Sequence, residues 1–493
     1  MKMRKTLIVV CVLSAMCAGI VLAGDVVDRP EKLKFKELTF DVPSPDSLRF
    51  ELSNGTPVYL MEDHQLPLVN ISVFFKGGRY LVPADKAGLA ELVSEGWRSG
   101  GAGDLSAQEL DEKLDFLAAA VHANIGDVRG SAFLNVMSKD LNEAMGLFMN
   151  LLTQPRFQND RFAKAKDDLL QAMKQRNDDT AGIEAREWDR LIYGDDFWMN
   201  RLATKASLGT ITVDDAKELV SRLIRSDNLV LAVSGDISRD DARKLLDETI
   251  GTLPKLDAAL PDIPQPTHTP QPGVYVVNKP DVNQGRVHMG HIGYRLGHPD
   301  QFPLTIGNDI FGGGGFTARM MKRIRSDEGL AYGAYSSMSF PVTMPGIFSP
   351  FFQSKSSTCA FAAEIAMNLL KQMQTEPVTD EELNTSKNSM VETFPRRFES
   401  AAQVVSIFAQ DEILGRPHDY WTNYRDRVRK VTAKDIQKAF AKDIRPDDMI
   451  MLVVGNIEEI MAGHPDHEAR LTDFGPIHKV PLRDPMTLEP LTE

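Results

Sequence analysis

Cysteine is almost missing from this 493-residue chain, which has three. Cys11 and Cys17 fall in an apolar N-terminal run; once that run is removed Cys359 stands alone, and an internal disulfide is excluded. Stability must therefore come from packed cores. A basic face is missing too. The formal charge is −13, and no cluster of Lys and Arg interleaved with aromatics appears, which argues against a nucleic-acid partner. No Gly-x-Ser-x-Gly elbow is present, and Cys359 has no local nucleophile signature, so serine or cysteine hydrolysis has no support.

What is present begins with MKMRKTLIVVCVLSAMCAGIVLAG: basic residues, an apolar run too short for a comfortable membrane span, then small residues. This reads as a secretory signal over 1–23, cleaved near Ala23, which sends the mature chain to the periplasm without a stable membrane anchor. Cys17 lacks a lipoprotein pattern around it.

The clearest organisational feature is an internal repeat. TVDDAKELVSRLIRSDNLVLAVSGDIS starts at Thr212, and TAKDIQKAFAKDIRPDDMIMLVVGNIE starts 220 residues later at Thr432. Each copy predicts a Thr N-cap, an amphipathic helix, a polar turn, an apolar strand and a Gly turn. A period this long marks a duplicated domain. Between the copies, LPKLDAALPDIPQPTHTPQP (253–272) carries six prolines, which predicts a stiff exposed linker. The expected organisation is an N-terminal half at 24–252, the linker at 253–272 and a C-terminal half at 273–493. Strand-like 68–78 and 285–297 open the two halves, and helical patterns follow at 106–121 and 359–374. The expected fold class is α+β, two homologous α/β-sandwich halves joined by the Pro-rich linker. The tail after Ala469 shows little periodicity and is expected to lie along the surface.

The stretch GLAELVSEG (88–96) reads as a helix start that sets Glu91 and Glu95 four residues apart on one face, with Ser94 between them. As residues alone they are open to three readings: solvated polar groups, a weak site for a hard cation, or a carboxylate dyad.

Taken with its surroundings, PLVNISVFFKGGRYLVPADKAGLAELVSEGWRSGGAGDLSAQELDEKLDFLAA resembles the front of the insulinase/pitrilysin metallopeptidases. The resemblance continues through LIYGDDFWMNRLATKASLGTITVDDAKELVSRLIRSDNLVLAVSGDI and resumes at FGGGGFTARMMKRIRSDEGLAYGAYSS and MIMLVVGNI. In that family the helix carries His-x-x-Glu-His, two imidazoles for Zn²⁺ and a Glu that polarises the bound water, with a distal Glu completing the coordination. Here those positions fall on Glu91, Ser94 and Glu95, and the distal one on Gln171 or Ala172. The resemblance therefore implies a chain with no catalytic residues and no metal of its own.

The family's other half supplies an Arg and a Tyr that hold substrate. IRSDEGLAY offers Arg325 and Tyr332 at that spacing, a guanidinium and a phenol able to donate to a substrate carbonyl or its oxyanion. Without the resemblance, an Arg325 ion pair with Asp327 or Glu328 and a packed Tyr332 remains open. The run Gly312, Gly313, Gly314 and Gly315 resembles the glycine-rich, substrate-contacting loop of the zinc-free subunit of mitochondrial processing peptidase; a close-packed turn is the alternative.

Other candidates carry less. His288 and His291 lie in a predicted strand at opposite-facing positions, and HPDHE (464–468) has the wrong order and a proline through it. Met320 and Met321 are expected in the core. Jointly, the resemblance and these residues imply a zinc-free, non-catalytic subunit of a periplasmic heterodimeric metallopeptidase. It would pair with a metal-bearing homologous subunit and enclose an unfolded peptide. The alternatives are a stand-alone peptide-binding module and an active metalloendopeptidase with atypical ligands.

Overall fold

A computed structural model describes residues 29, 33, 39–256 and 258–491, so the expected signal at 1–23 lies outside the described residues. Met1–Asp41 and Val42–Glu493 are separate compact units, and the architecture below is that of the second.

Among the described residues the strands make two six-stranded sheets. The first has the order β1-β2-β6-β3-β5-β4, from Arg49–Glu51, Pro57–Glu62, Leu229–Gly235, Leu68–Lys76, Arg129–Met137 and Ala120–Ile125. The second has the order β12-β7-β11-β8-β10-β9, from Ile477–Lys479, Gly273–Asn278, Ile450–Gly455, Gln284–Ile292, Ile347–Lys355 and Ala331–Met338. Setting the outer strands β1 and β12 aside, the two orders are the same. β2 runs parallel to β6 as β7 does to β11, and the other equivalent neighbours are antiparallel.

Six helices position the sites: α1 (Leu89–Ser99), α2 (Thr180–Tyr193), α3 (Val213–Leu223), α4 (Gln301–Asn308), α5 (Ala401–Leu414) and α6 (Ala433–Asp443). The repeat accounts for α3 and α6. Thr212 and Thr432 each accept from the backbone three residues on, and Asp215 and Asp435 each reach back, so both helices start on a capping box. Each then leads into a strand, β6 or β11, that is buried along its whole length.

That burial has a specific cause. Helices of its own half cover one face of each sheet, and a helix from the other half covers the opposite face. α5 lies on β2, β3 and β6, while α2 lies on β8 and β11. Ile183, Trp188 and Ile192 of α2 share a cluster with Val277, Ile450 and Leu452, and Phe408 of α5 meets Tyr59 with ring centroids 6.1 Å apart. A glutamate on each visiting helix meets an arginine of the receiving sheet. Glu412 takes two bonds from Arg49, at 2.9 and 3.0 Å, and one from the Tyr59 hydroxyl at 2.6 Å. Glu184 pairs with Arg286 and stands 3.0 Å from His288, whose ring lies flat on Trp188 at 3.7 Å. Clasped halves explain why strands in a mixed sheet read as continuous apolar runs.

One expectation needs correction and one a refinement. The helical pattern at 106–121 ends at Phe116; Ala118 takes a positive φ of 48°, and Ala120 onward is β4 with strict alternation of burial. The tail does lie along the surface, as expected, but it is tied down there. Leu471 is buried, β12 pairs parallel with β7, and the Met486 carbonyl accepts from Lys205 N–H at 2.9 Å. A three-residue strand is too short for periodicity to reveal. The described residues of 253–272 form neither helix nor strand, and most are exposed.

Candidate functional site

Gly88 opens α1 in a left-handed conformation, φ 101°, where a Cβ would stand 2.8 Å from Ala203 and Leu208. Leu89, Leu92, Val93 and Trp97 then face the core, and the Trp97 indole donates to the Leu151 carbonyl. The opposite face carries Glu91, half-buried, and Glu95, exposed. Arg79 Nη1 lies 3.9 Å from Glu91 Oε1 while its Nη2 pairs with Asp127 at 2.8 Å. Ser94 Oγ donates to the Ala90 carbonyl at 2.8 Å and accepts the Ile125 N–H at 2.9 Å, tying α1 to the end of β4. Gln171 and Ala172, on the helix Asn159–Lys174, are exposed, and Gln171 accepts from Lys174.

This donor set does not fit zinc. Neither imidazole nor thiolate is offered, Ser94 is engaged in a backbone bracket, and the Arg79 guanidinium stands 3.9 Å from Glu91. Arg176 adds to the positive field: its guanidinium, pushed down by burial, is held up in part by Glu91. The nearby Asp189 carboxyl is raised by burial, an effect Arg79 opposes.

In the second half, α4 runs into a wide helical turn, Asp309–Gly313, closed by a 2.7 Å bond from Gly314 N–H to the Asp309 carbonyl. A Cβ at Gly312 would meet the Ser336 backbone nitrogen at 2.6 Å, and one at Gly313 the Asn308 side chain at 2.8 Å. Gly315 has φ 62° and open space around it. So Gly312, Gly313 and Gly314 permit close packing, and Gly315 turns the chain outward to Phe316. Beside them an open cleft of about 500 Å³ is lined by Asp309, Phe316, Arg319 and Lys322 among others. Burial raises the Asp309 carboxyl, against a hydrogen bond donated by Ser386.

Arg325 and Tyr332 come together. The Arg325 Cζ lies 5.0 Å from the Tyr332 ring centroid and 4.8 Å from that of Phe316. Tyr332 is 88% exposed and Phe316 74%. Asp327 and Glu328 are taken by Arg323, at 3.2 and 3.0 Å, and among the described residues no carboxylate lies within ion-pair distance of Arg325. The arrangement is a cation held between two exposed rings with its donors free. Phe316 was missed at the sequence level; its one signal is an aromatic directly after a glycine run. No hydrogen bond or ion pair joins this group to Glu91, Ser94 or Glu95 among the described residues.

The discounted residues have structural roles. His288 and His291 go to different surroundings, and His291 Nε2 accepts the Arg445 N–H at 3.1 Å. His467 stacks on Phe361, and Cys359 is buried, with its thiol pushed up to about 12 by burial. Met320 and Met321 are in the core. No helix among the described residues is long and apolar enough to cross a membrane.

With this geometry in view, known proteins resemble the chain over most of its length. A sequence profile for the family described as the peptidase M16 inactive domain matches residues 210–390. A Helicobacter pylori protein named as a non-peptidase homolog, YmxG, is 24% identical over 402 residues, covering 81% of this chain and 92% of its own. A Bacillus subtilis protein named as an uncharacterized zinc protease, also YmxG, is 22% identical over 75% of this chain and 89% of its own. Among solved structures, a peptidase M16 inactive domain from Pseudomonas fluorescens superposes with a TM-score of 0.74 at 22% identity, covering 83% of this chain and 97% of its own. The periplasmic protease PqqL of Escherichia coli does so with a TM-score of 0.73 at 15% identity, over 86% of this chain and 48% of its own.

Proposed function

We infer, from a chain that belongs with the M16 or insulinase peptidases and is homologous to their inactive domains, that it is the non-catalytic subunit, without a catalytic zinc, of a heterodimeric metallopeptidase. A metal-bearing homologous subunit supplies metal and base. This chain supplies Arg325 and Tyr332 and half of a chamber for an unfolded peptide, bound through its backbone. The reading takes 1–23 as a signal removed on export to the periplasm, 24–252 and 273–493 as the duplicated halves, and 253–272 as their linker. The likeness to a periplasmic protease supports the location.

The observation that carries the reading is a contrast within one chain. The position of the catalytic base is spent on a backbone bracket, Ser94 to Ile125. Arg325 stands over the ring of the exposed Tyr332, and among the described residues no carboxylate pairs with it. Within the reading, Gly315 and Phe316 form the edge of the peptide path, Gly312 lets that edge sit close to β9, and Gly313 and Gly314 let it fold back on Asn308 and Asp309.

The test is recovery of the tagged chain from envelope extracts with mass spectrometry of what accompanies it, followed by reconstitution. Expected are a His-x-x-Glu-His homologue at equal stoichiometry, no peptide cleavage by this chain alone, and cleavage by the pair. Cleavage by this chain alone, or a pair whose activity is indifferent to loss of both Arg325 and Tyr332, overturns the reading.

A further inference from the structure

The last residue of α6 is Asp443, and by the 220-residue offset its counterpart at the end of α3 is Leu223. Leu223 is fully buried, as an apolar residue should be there. Asp443 is 3% exposed, so the second copy has placed a carboxylate in a desolvated position and at a helix C-terminus, where the backbone dipole also disfavours negative charge. Such a group needs positive charge close by.

One ligand atom each from His298, Asp300 and Asp443 lies within 4.8 Å of the other two. Asp443 Oδ1 accepts from the Tyr294 hydroxyl at 3.2 Å, but Oδ2 has no hydrogen-bond partner and faces His298 Nδ1 at 4.0 Å. That imidazole is fixed in plane by stacking on Tyr294, centroids 3.9 Å apart. Its Nδ1 takes only a long bond, 3.3 Å, from the Asp300 N–H. Arg445 donates to the Tyr294 hydroxyl and the Asp443 carbonyl oxygen, which leaves the carboxylate to others. Among the described residues Lys442 is the cation that reaches both carboxylates: its ammonium is 2.6 Å from Asp300 and 3.7 Å from Asp443. Its side chain is 63% exposed, however, and free to swing into solvent.

We propose that His298, Asp300 and Asp443 are a divalent-cation site, suited by its one nitrogen and two carboxylate donors to Zn²⁺ or Mn²⁺ over Ca²⁺, in which the ion displaces the Lys442 ammonium. Ligand bonds of about 2.0–2.2 Å require the three atoms to close by roughly an ångström. Asp443 is the fixed member, and His298 and Asp300 flank Pro299 in the turn before α4, where such closure is local. The bound ion staples the start of α4 to the end of α6. Because α4 runs directly into the Asp309–Gly313 turn, the staple acts on the base of the glycine-rich edge. The site lies in the C-terminal half and is independent of the Glu91 region and of the peptide reading.

The experiment is titration of the full metal-stripped mature chain with ZnCl₂, MnCl₂ and CaCl₂ by calorimetry, with thermal melting alongside. Expected are one saturable equivalent of Zn²⁺, weaker Mn²⁺ binding and little response to Ca²⁺. Asp443→Asn and His298→Gln each weaken Zn²⁺ binding at least tenfold, and His298, in the turn before α4 and less buried than Asp443, serves if the Asp443 variant folds poorly. Lys442→Met tightens binding severalfold by removing the internal competitor, and Glu91→Gln leaves it unchanged. Absence of saturable binding overturns the proposal, as does binding insensitive to His298→Gln or weakened by Lys442→Met; each assigns the cluster to an internal lysine-neutralised carboxylate pair.

Discussion

Ser94 Oγ accepts the Ile125 backbone N–H at 2.9 Å, and this bond ties α1 to the end of β4. The hydroxyl also gives its proton to the Ala90 carbonyl, so both of its capacities are used locally. Ser94→Ala leaves the Ile125 N–H without that partner and is expected to lower stability by about 1–2 kcal/mol, read as a shift in the urea midpoint with unchanged slope. Ser94→Glu is expected to cost at least as much, because a longer charged side chain enters the bracket beside Glu91, and to yield no hydrolysis. A midpoint unmoved by Ser94→Ala would show that the bracket contributes nothing.

Arg325, Tyr332 and Phe316 call for the opposite pattern. The two rings are largely exposed, and an exposed cation–π contact is worth only about 0.5–1 kcal/mol. Arg325→Ala, Tyr332→Phe and Phe316→Ala are therefore expected to leave the melting temperature within about 2 °C of the parent. In the reconstituted pair, Arg325→Ala is expected to reduce turnover at least tenfold. Arg325→Lys should fail to rescue, since an ammonium lacks the planar fork that stacks between the rings. Steady-state kinetics beside a melting curve checks both halves of the claim.

The repeat made much of the fold legible. A 220-residue spacing between two capped helix–strand units implied two equivalent sheets, and Thr212 and Thr432 sit on the caps that their sequence demanded. The exchange of α2 and α5 between the halves was not legible. Helix periodicity shows that a face is buried and says nothing of which sheet receives it. The continuous apolar runs of β6 and β11 held the one clue, since burial on both faces requires a second covering layer. At the site, the residue types at Glu91, Ser94, Glu95 and Gln171 were readable directly. Arg79 beside Glu91 and Phe316 beside Arg325 were not, because both contacts join segments whose register only the folded chain sets.

A pH dependence follows from His291. The ring is 2% exposed, and burial pushes it down to about 4 from an ordinary 6.5, with nearby Arg445 acting in the same direction. The unfolded chain therefore takes up a proton near pH 6.5 while the folded chain resists until near pH 4. Stability falls as pH drops through that window, by up to about 3 kcal/mol, and is unaffected above it. His291→Gln keeps an acceptor for the Arg445 N–H but cannot be protonated. Urea midpoints from pH 7.5 to 4.5 are expected to fall less steeply for the variant; parallel curves would remove His291 as the cause.

The clasp between halves gives the last prediction. Glu412 binds Arg49 through two hydrogen bonds and the Tyr59 hydroxyl through a third, across 363 residues of sequence for the arginine. Glu412→Ala strands the buried Tyr59 phenol and leaves Arg49 with Glu51 alone, and is expected to cost about 3 kcal/mol. Trp188→Ala removes the ring that covers His288 from the other side of the molecule and is expected to cost a similar about 3–5 kcal/mol. The two sites belong to different halves by sequence, yet each sheet depends on a helix from the other. Calorimetry of the parent is accordingly expected to show one cooperative transition, and either variant should lower that transition as a whole. A half that melted on its own while the other held would mean the exchanged helices merely rest on their sheets.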